Sequence, residues 1–68
     1  MNIFNRIREL RKQHDITQAS LAEIAGVSLP SIQRLEAGKE TIRLDVLIKV
    51  TDALGYQVSL EPKVDRHE

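Results

Sequence analysis

The chain has no cysteine and no tryptophan, and only one phenylalanine and one tyrosine. Without cysteine it cannot be stapled by disulfides, and thiolate metal sites are excluded. With aromatics this scarce, any core must be assembled from Leu, Ile, Val and Ala. An excess of one charge is also missing: ten Lys and Arg stand against ten Asp and Glu. That is not the basic balance of a protein that coats nucleic acid regardless of sequence. Local clustering matters more than the sum, and Arg6, Arg8, Arg11 and Lys12 gather early, with Arg34, Lys39 and Arg43 farther on. No apolar run reaches the length of a membrane span, and no leader or lipidation motif is visible. The expectation is therefore a cytoplasmic protein without membrane contact. His14 and His67 are lone and far apart, and the acidic residues are scattered. Neither enzymatic activity, nor a metal, nor a cofactor is expected. Gly26, Gly38 and Gly55 read as helix terminators, not as a phosphate loop. Sixty-eight residues make one domain, and one so small that a partner subunit is a natural source of stability.

What is present centres on Thr17 to Lys39, TQASLAEIAGVSLPSIQRLEAGK. Two short helical patterns flank Gly26. In the first, predicted over Gln18 to Ala25, Leu21, Ala22 and Ala25 are apolar and Thr17 is a natural N-cap. In the second, predicted over Leu29 to Ala37, Ile32 and Leu35 face inward and Ser28 is the N-cap. Gly26 can take the left-handed conformation that ends one helix and turns the chain, and Val27 returns inward as an apolar plug. Helix, glycine turn, helix is the helix-turn-helix unit, whose second helix enters the DNA major groove.

Around this unit, Asn2 to Gln13 carries Ile3, Ile7 and Leu10 at helical spacing, with Phe4 beside the stripe. His14, close behind that helix, is a favourable charge for its dipole. Leu44 to Leu54 reads as a fourth helix that is too apolar for a surface. One stripe is Leu44, Leu47, Ile48, Thr51 and Leu54; a second is Val46, Val50 and Ala53. Such a helix needs burial on two sides, and a second copy of the chain is the economical cover for the outer one. Tyr56 to Glu61 alternates apolar and polar residues, a strand pattern. A lone strand is unstable in water, so pairing with its equivalent in a second copy is expected. Residues 1–61 then form the DNA-binding and dimerisation domain. Pro62 stops the strand, and 62–68 is a charged tail expected to be disordered.

The run T-Q-x-x-L-A-x-x-x-G-V-S-x-x-x-I-x-x-L-E-x-G resembles the Xre-type helix-turn-helix of Cro and phage repressors. The resemblance spans roughly Ile7 to Leu54 and implies an all-α, phage-repressor-like bundle of four helices. It implies that a basic residue at Arg11 pairs with Glu36, late in the recognition helix, as an architectural lock. It also implies a phosphate contact at Gln18, which stands at a helix N-terminus suited to anions, and a second approach to the DNA backbone at Lys39 and Arg43. On the recognition helix, Gln33 and Arg34 suit adenine and guanine edges. Leu29 and Pro30 are placed to meet a thymine methyl, and Ser28 and Ser31 to meet phosphates. Pro30 departs from the polar residue usual in the family. Ile24, on an exposed-side position, is either a partner surface or an ordinary exposed residue.

Four helices followed by the segment ALGYQVSLEPK are similar to the HipB-like antitoxin regulators. The dimer interface expected from the fourth helix and the strand comprises Val46, Val50, Tyr56, Val58 and Leu60, and the partners are a palindromic double-stranded operator, a second copy and a toxin protein. The reading is a sequence-specific repressor, the autoregulating antitoxin of a toxin–antitoxin pair. Alternatives are a phage-type repressor, a restriction–modification controller, or a protein-binding module that no longer touches DNA.

Overall fold

A computed structural model describes residues 2–39 and 41–64. Four helices account for its regular structure: α1 (Ile3–Gln13), α2 (Gln18–Ala25), α3 (Leu29–Glu36) and α4 (Leu44–Ala53). The ends of the helices follow from local chemistry. Asn2 caps α1 by accepting from the Phe4 amide at 2.7 Å. Thr17 caps α2 by accepting from Ser20 at 3.0 Å, and Ser28 caps α3 by accepting from Ser31 at 3.2 Å. Pro30 lies in the first turn of α3, where its missing N–H costs nothing. Gly26 has φ +74°, a region that L side chains enter only with strain, and its amide bonds back to the carbonyl of Ala22 at 2.9 Å. Among the described residues, Asp15, between α1 and α2, is the non-glycine residue with positive φ, at 58°; Asp tolerates that region better than bulkier residues do.

The core is aliphatic. Ile7 and Leu10 of α1, Leu21 and Ala22 of α2, Ile32 and Leu35 of α3, and Val50 and Leu54 at the end of the chain's last helix are all buried. Full burial of a side chain of this kind is worth roughly 1.5–3 kcal/mol. The helix α2 packs on both α3 and α4, while α1 packs on α3. This clamps the helix-turn-helix from two sides and leaves the outer face of α3 in solvent.

The single chain departs from two expectations. Tyr56 to Glu61 does not form a strand: residues 56–64 carry no regular secondary structure. The alternation is present, but no second strand lies within the described residues to accept its backbone hydrogen bonds, so the segment stays irregular and exposed. The single chain is thus all-α. Second, Val50 belongs to the inner side of α4. It is 0% exposed within its own chain, because Val50 and Leu54 join the common core formed with α1, α2 and α3, so Val50 has no surface to offer a partner. The outward apolar residues of α4 are Leu44 and Ile48, one helical turn apart. Val46, also expected at an interface, is partly buried against the core. Pro62 to Val64 are exposed, while His67 and the rest of the expected tail, 65–68, lie outside the described residues.

Candidate nucleic-acid interface

The second helix of the motif is packed against α1 and α2 and turns its outer face to solvent. Ile32 and Leu35 are 0% exposed, and they fix the rotation of α3 about its axis. Leu29, Pro30, Gln33 and Arg34 then fall on the opposite side, and all four are exposed. The two polar side chains proposed to read bases are therefore neither packed inward nor covered by another part of the described chain.

At the N-terminal end of α2, Gln18 lines a hollow shared with Arg8, Arg11, Lys12, Gln33 and Glu36. Its side-chain amide donates to Glu36 Oε1 at 3.1 Å. The same carboxylate receives Arg11 Nε at 2.6 Å and Arg11 Nη2 at 3.0 Å. A third Arg11 nitrogen, Nη1, donates to the Ile16 carbonyl at 2.8 Å. Arg11 and Glu36 are thus a bidentate, nearly buried pair, the geometry in which such a pair is strongest. Burial alone would disfavour the charged carboxylate, but hydrogen bonds from Arg11 and Gln18 and the nearby positive charges of Arg11 and Arg8 outweigh it and hold Glu36 below its ordinary pKa. The bond to Gln18 is not evident from sequence, since the two residues belong to different helices. It spends one amide N–H of Gln18 and leaves the other for an anion. Arg8 and Lys12 were legible only as basic residues on the outer side of the first helix; their i, i+4 spacing is the signal that sets them together at this hollow.

The remaining candidates cluster at the start of α3 and in the loop behind it. The hydroxyls of Ser28 and Ser31 are 2.8 Å apart, so one donates to the other and the second proton remains free to point outward. Lys39 is exposed just past the helix. Arg43 is exposed too, but its Nε and Nη2 donate to Asp45 at 3.0 and 3.4 Å. The hydrogen bond and charge of Asp45 raise the Arg43 pKa, and the reciprocal bond from Arg43 lowers that of Asp45 despite desolvation. A phosphate would have to compete with this carboxylate. The Arg-x-Asp spacing across a helix start is the sequence signal for this pair. Arg34 Nη2 donates to Thr41 Oγ1 at 2.8 Å, a contact that no motif position announced. The arrangement as a whole offers an exposed Gln–Arg pair flanked by hydroxyls and cations. It is suited to grooved, anionic duplex, and among the described residues there is no group of His, Asp or Glu that could hold a metal.

Comparison with known proteins agrees with this geometry. A helix-turn-helix family model matches residues 7–60. Antitoxin PezA of Streptococcus pneumoniae is 31% identical over 93% of the chain and 45% of its own length. The cryptic phage CTXphi transcriptional repressor RstR of Vibrio cholerae is 37% identical over 85% of the chain and 52% of its own length. The chain thus spans about half of these two curated relatives. Among solved structures, one chain of a HipA-HipB-O2-O3 complex superposes with a TM-score of 0.81 at 22% identity, covering 91% of this chain and 87% of that one; at that identity it shows the shared fold. No helix among the described residues is long and apolar enough to cross a membrane. With four-fifths of its length inside the family model, the chain belongs to the Xre/Cro-type helix-turn-helix family of DNA-binding transcriptional regulators, which are not enzymes.

Proposed function

We propose that the protein is a dimeric repressor that occupies its own promoter, and that it serves as the antitoxin of a toxin–antitoxin pair. The observation that carries the DNA-reading part is the placement of Gln33 and Arg34, both exposed on the face of α3 opposite Ile32 and Leu35. In this reading Arg34 and Gln33 meet base edges and Leu29 or Pro30 touches a thymine methyl. The backbone is held by Gln18, Ser28, Ser31 and Lys39, with Arg8 and Lys12 added at the α2 end. Arg43 contributes less than its charge suggests, because Asp45 already occupies its fork.

The dimer rests on the C-terminal side. Leu44, Ile48, Tyr56, Val58 and Leu60 are exposed in the single chain, and the backbone of 56–64 has no ladder partner among the described residues. Two such segments related by a two-fold axis would satisfy each other's backbone groups and cover the outer side of α4. A two-fold dimer requires a palindromic operator with half-sites about 34 Å apart. The antitoxin role is supported by the resemblance to PezA and by the fold shared with a chain of the HipA–HipB complex. The similarity to RstR favours a second reading, a phage-type repressor, which would bind DNA in the same way but have no toxin.

The test is a gel shift on the DNA upstream of the protein's own gene. A salt-sensitive shift is expected, since phosphate contacts release counterions, and Arg34→Ala should lose about 1–3 kcal/mol there and relax the preference at one base pair. An equal loss on random duplex would reassign Arg34 to phosphate, and no shift at all would favour a protein-binding module. Co-purification with the product of the adjacent gene separates antitoxin from phage repressor.

A further inference from the structure

We propose that Thr41 is a positioning residue for Arg34: its hydroxyl holds the guanidinium in the orientation that meets a base. The inference rests on the reading of Arg34 as a base contact and extends it to the loop between α3 and α4. Thr41 is exposed and lies outside every helix, and Oγ1 accepts from Arg34 Nη2 at 2.8 Å. The two residues share a shallow hollow with Ser31, Ile42, Arg43 and Val46, directly beside the recognition helix.

The physical case is one of freedom. An unrestrained Arg samples many rotamers, a freedom much of which is lost when its fork is fixed on a base. A hydroxyl that takes one N–H before DNA arrives removes part of that freedom in advance, which is how preorganisation raises affinity. The guanidinium has five donors in a rigid plane. Giving one to Thr41 leaves enough of the fork for the two acceptors on a guanine edge. Threonine suits the task better than serine because its branched Cβ restricts χ1 and so aims the hydroxyl. Partly buried Ile42 packs against the core, so the residue after Thr41 anchors the loop that carries the hydroxyl. Thr41 thereby ties the direction of the reading residue to the body of the domain.

The rival role, a direct contact of Thr41 with phosphate, makes different predictions, and a double-mutant comparison separates them. The full chain is used to select a tight-binding duplex from a randomised pool. Affinities of the parent, Thr41→Val, Thr41→Ser, Arg34→Ala and the Arg34→Ala/Thr41→Val double variant are then measured on that duplex and on a scrambled one, with thermal melts as a control for folding. Thr41→Val should weaken binding to the selected duplex about 2- to 10-fold, the range of one net hydrogen bond. Binding to the scrambled duplex and the salt dependence should not change. Thr41→Ser should retain most of the affinity, and in the double variant the valine should add no loss to that of Arg34→Ala. Equal losses on both duplexes, losses that add to those of Arg34→Ala, or no loss in Thr41→Val would each overturn the proposal. If Arg34→Ala separates the two duplexes and Thr41→Val does not, only the role of Thr41 falls. If Arg34→Ala itself fails to separate them, the base-reading role of Arg34 falls, and that of Thr41 with it.

Discussion

The helix-turn-helix side and the C-terminal side of this chain treat their side chains differently. On the first, Thr17 and Ser28 cap their helices, Leu21, Ile32 and Leu35 are fully buried, and the Glu36 carboxylate has a donor for each oxygen. What remains exposed there is largely polar and suited to DNA. On the second, Leu44, Ile48, Tyr56, Val58 and Leu60 face solvent, Leu60 at 99%, beside backbone without ladder partners. The first side is complete within one chain, while the second has the composition of a surface that another body covers. The contrast teaches that burial within a single chain reports packing, and that apolar exposure concentrated on one side, against Ile24 and Leu29 on the other, favours assembly there.

The strongest way to break the comparison is to damage the finished side. Ile32→Ala removes a wholly buried side chain that sets the rotation of α3, and should cost about 2–5 kcal/mol in thermal or urea unfolding. For a domain of this size that is much of its total stability. A loss under 1 kcal/mol would mean that the core is looser than described. Arg11→Ala should come next, at about 3 kcal/mol, because it strands the Glu36 carboxylate in a nearly dry site.

The same pair predicts a pH dependence. Glu36 is held below its ordinary value of 4.5 when folded, so the folded chain binds fewer protons than the unfolded one in the acid range. Its contribution is therefore fully present above the unfolded pKa and is lost as pH falls through the lowered folded value. Denaturant melts of the parent should weaken steeply below about pH 4.5, and Glu36→Gln should weaken less over the same window. Parallel curves for the two proteins would remove Glu36 as the source.

On the unfinished side the contrast sharpens differently. Leu60→Asp at low protein concentration should leave the monomer's stability within about 0.5 kcal/mol, as for other exposed sites, yet shift sedimentation from dimer toward monomer. Ile24→Ser, on α2 and 61% exposed, should be the smallest change, altering neither folding nor association. A monomeric Ile24→Ser variant would move the interface to α2.

Much of this was legible in the sequence for a physical reason. Caps, glycine turns and 3.6-residue periodicity are local, so Thr17, Gly26, Ser28 and the inward pair Ile32 and Leu35 locate α2 and α3 to within a residue of their observed ends. The rotation of α4 was not legible. Apolar residues lie nearly all round it, and only the position of α2 decides that Val50 goes in while Ile48 stays out. No strand forms at Tyr56 to Glu61 within the single chain, because alternation encodes a willingness to pair but does not supply a partner. Contacts between separate elements, Gln18 with Glu36 and Arg34 with Thr41, follow from tertiary placement and leave no periodic trace.

The central claim is that the face of α3 bearing Gln33 and Arg34 enters the groove of duplex DNA. It is tested most directly by an NMR titration of the labelled full chain with a duplex selected from a randomised pool, following backbone amides and the Arg side-chain signals. The account predicts that the largest shifts fall on Ser28 to Arg34, with a second group at Gln18 and around Lys39, and that the Arg34 side-chain signal sharpens and moves. Shifts confined to Leu44, Ile48 and Tyr56 to Leu60, with α3 unperturbed, would contradict it.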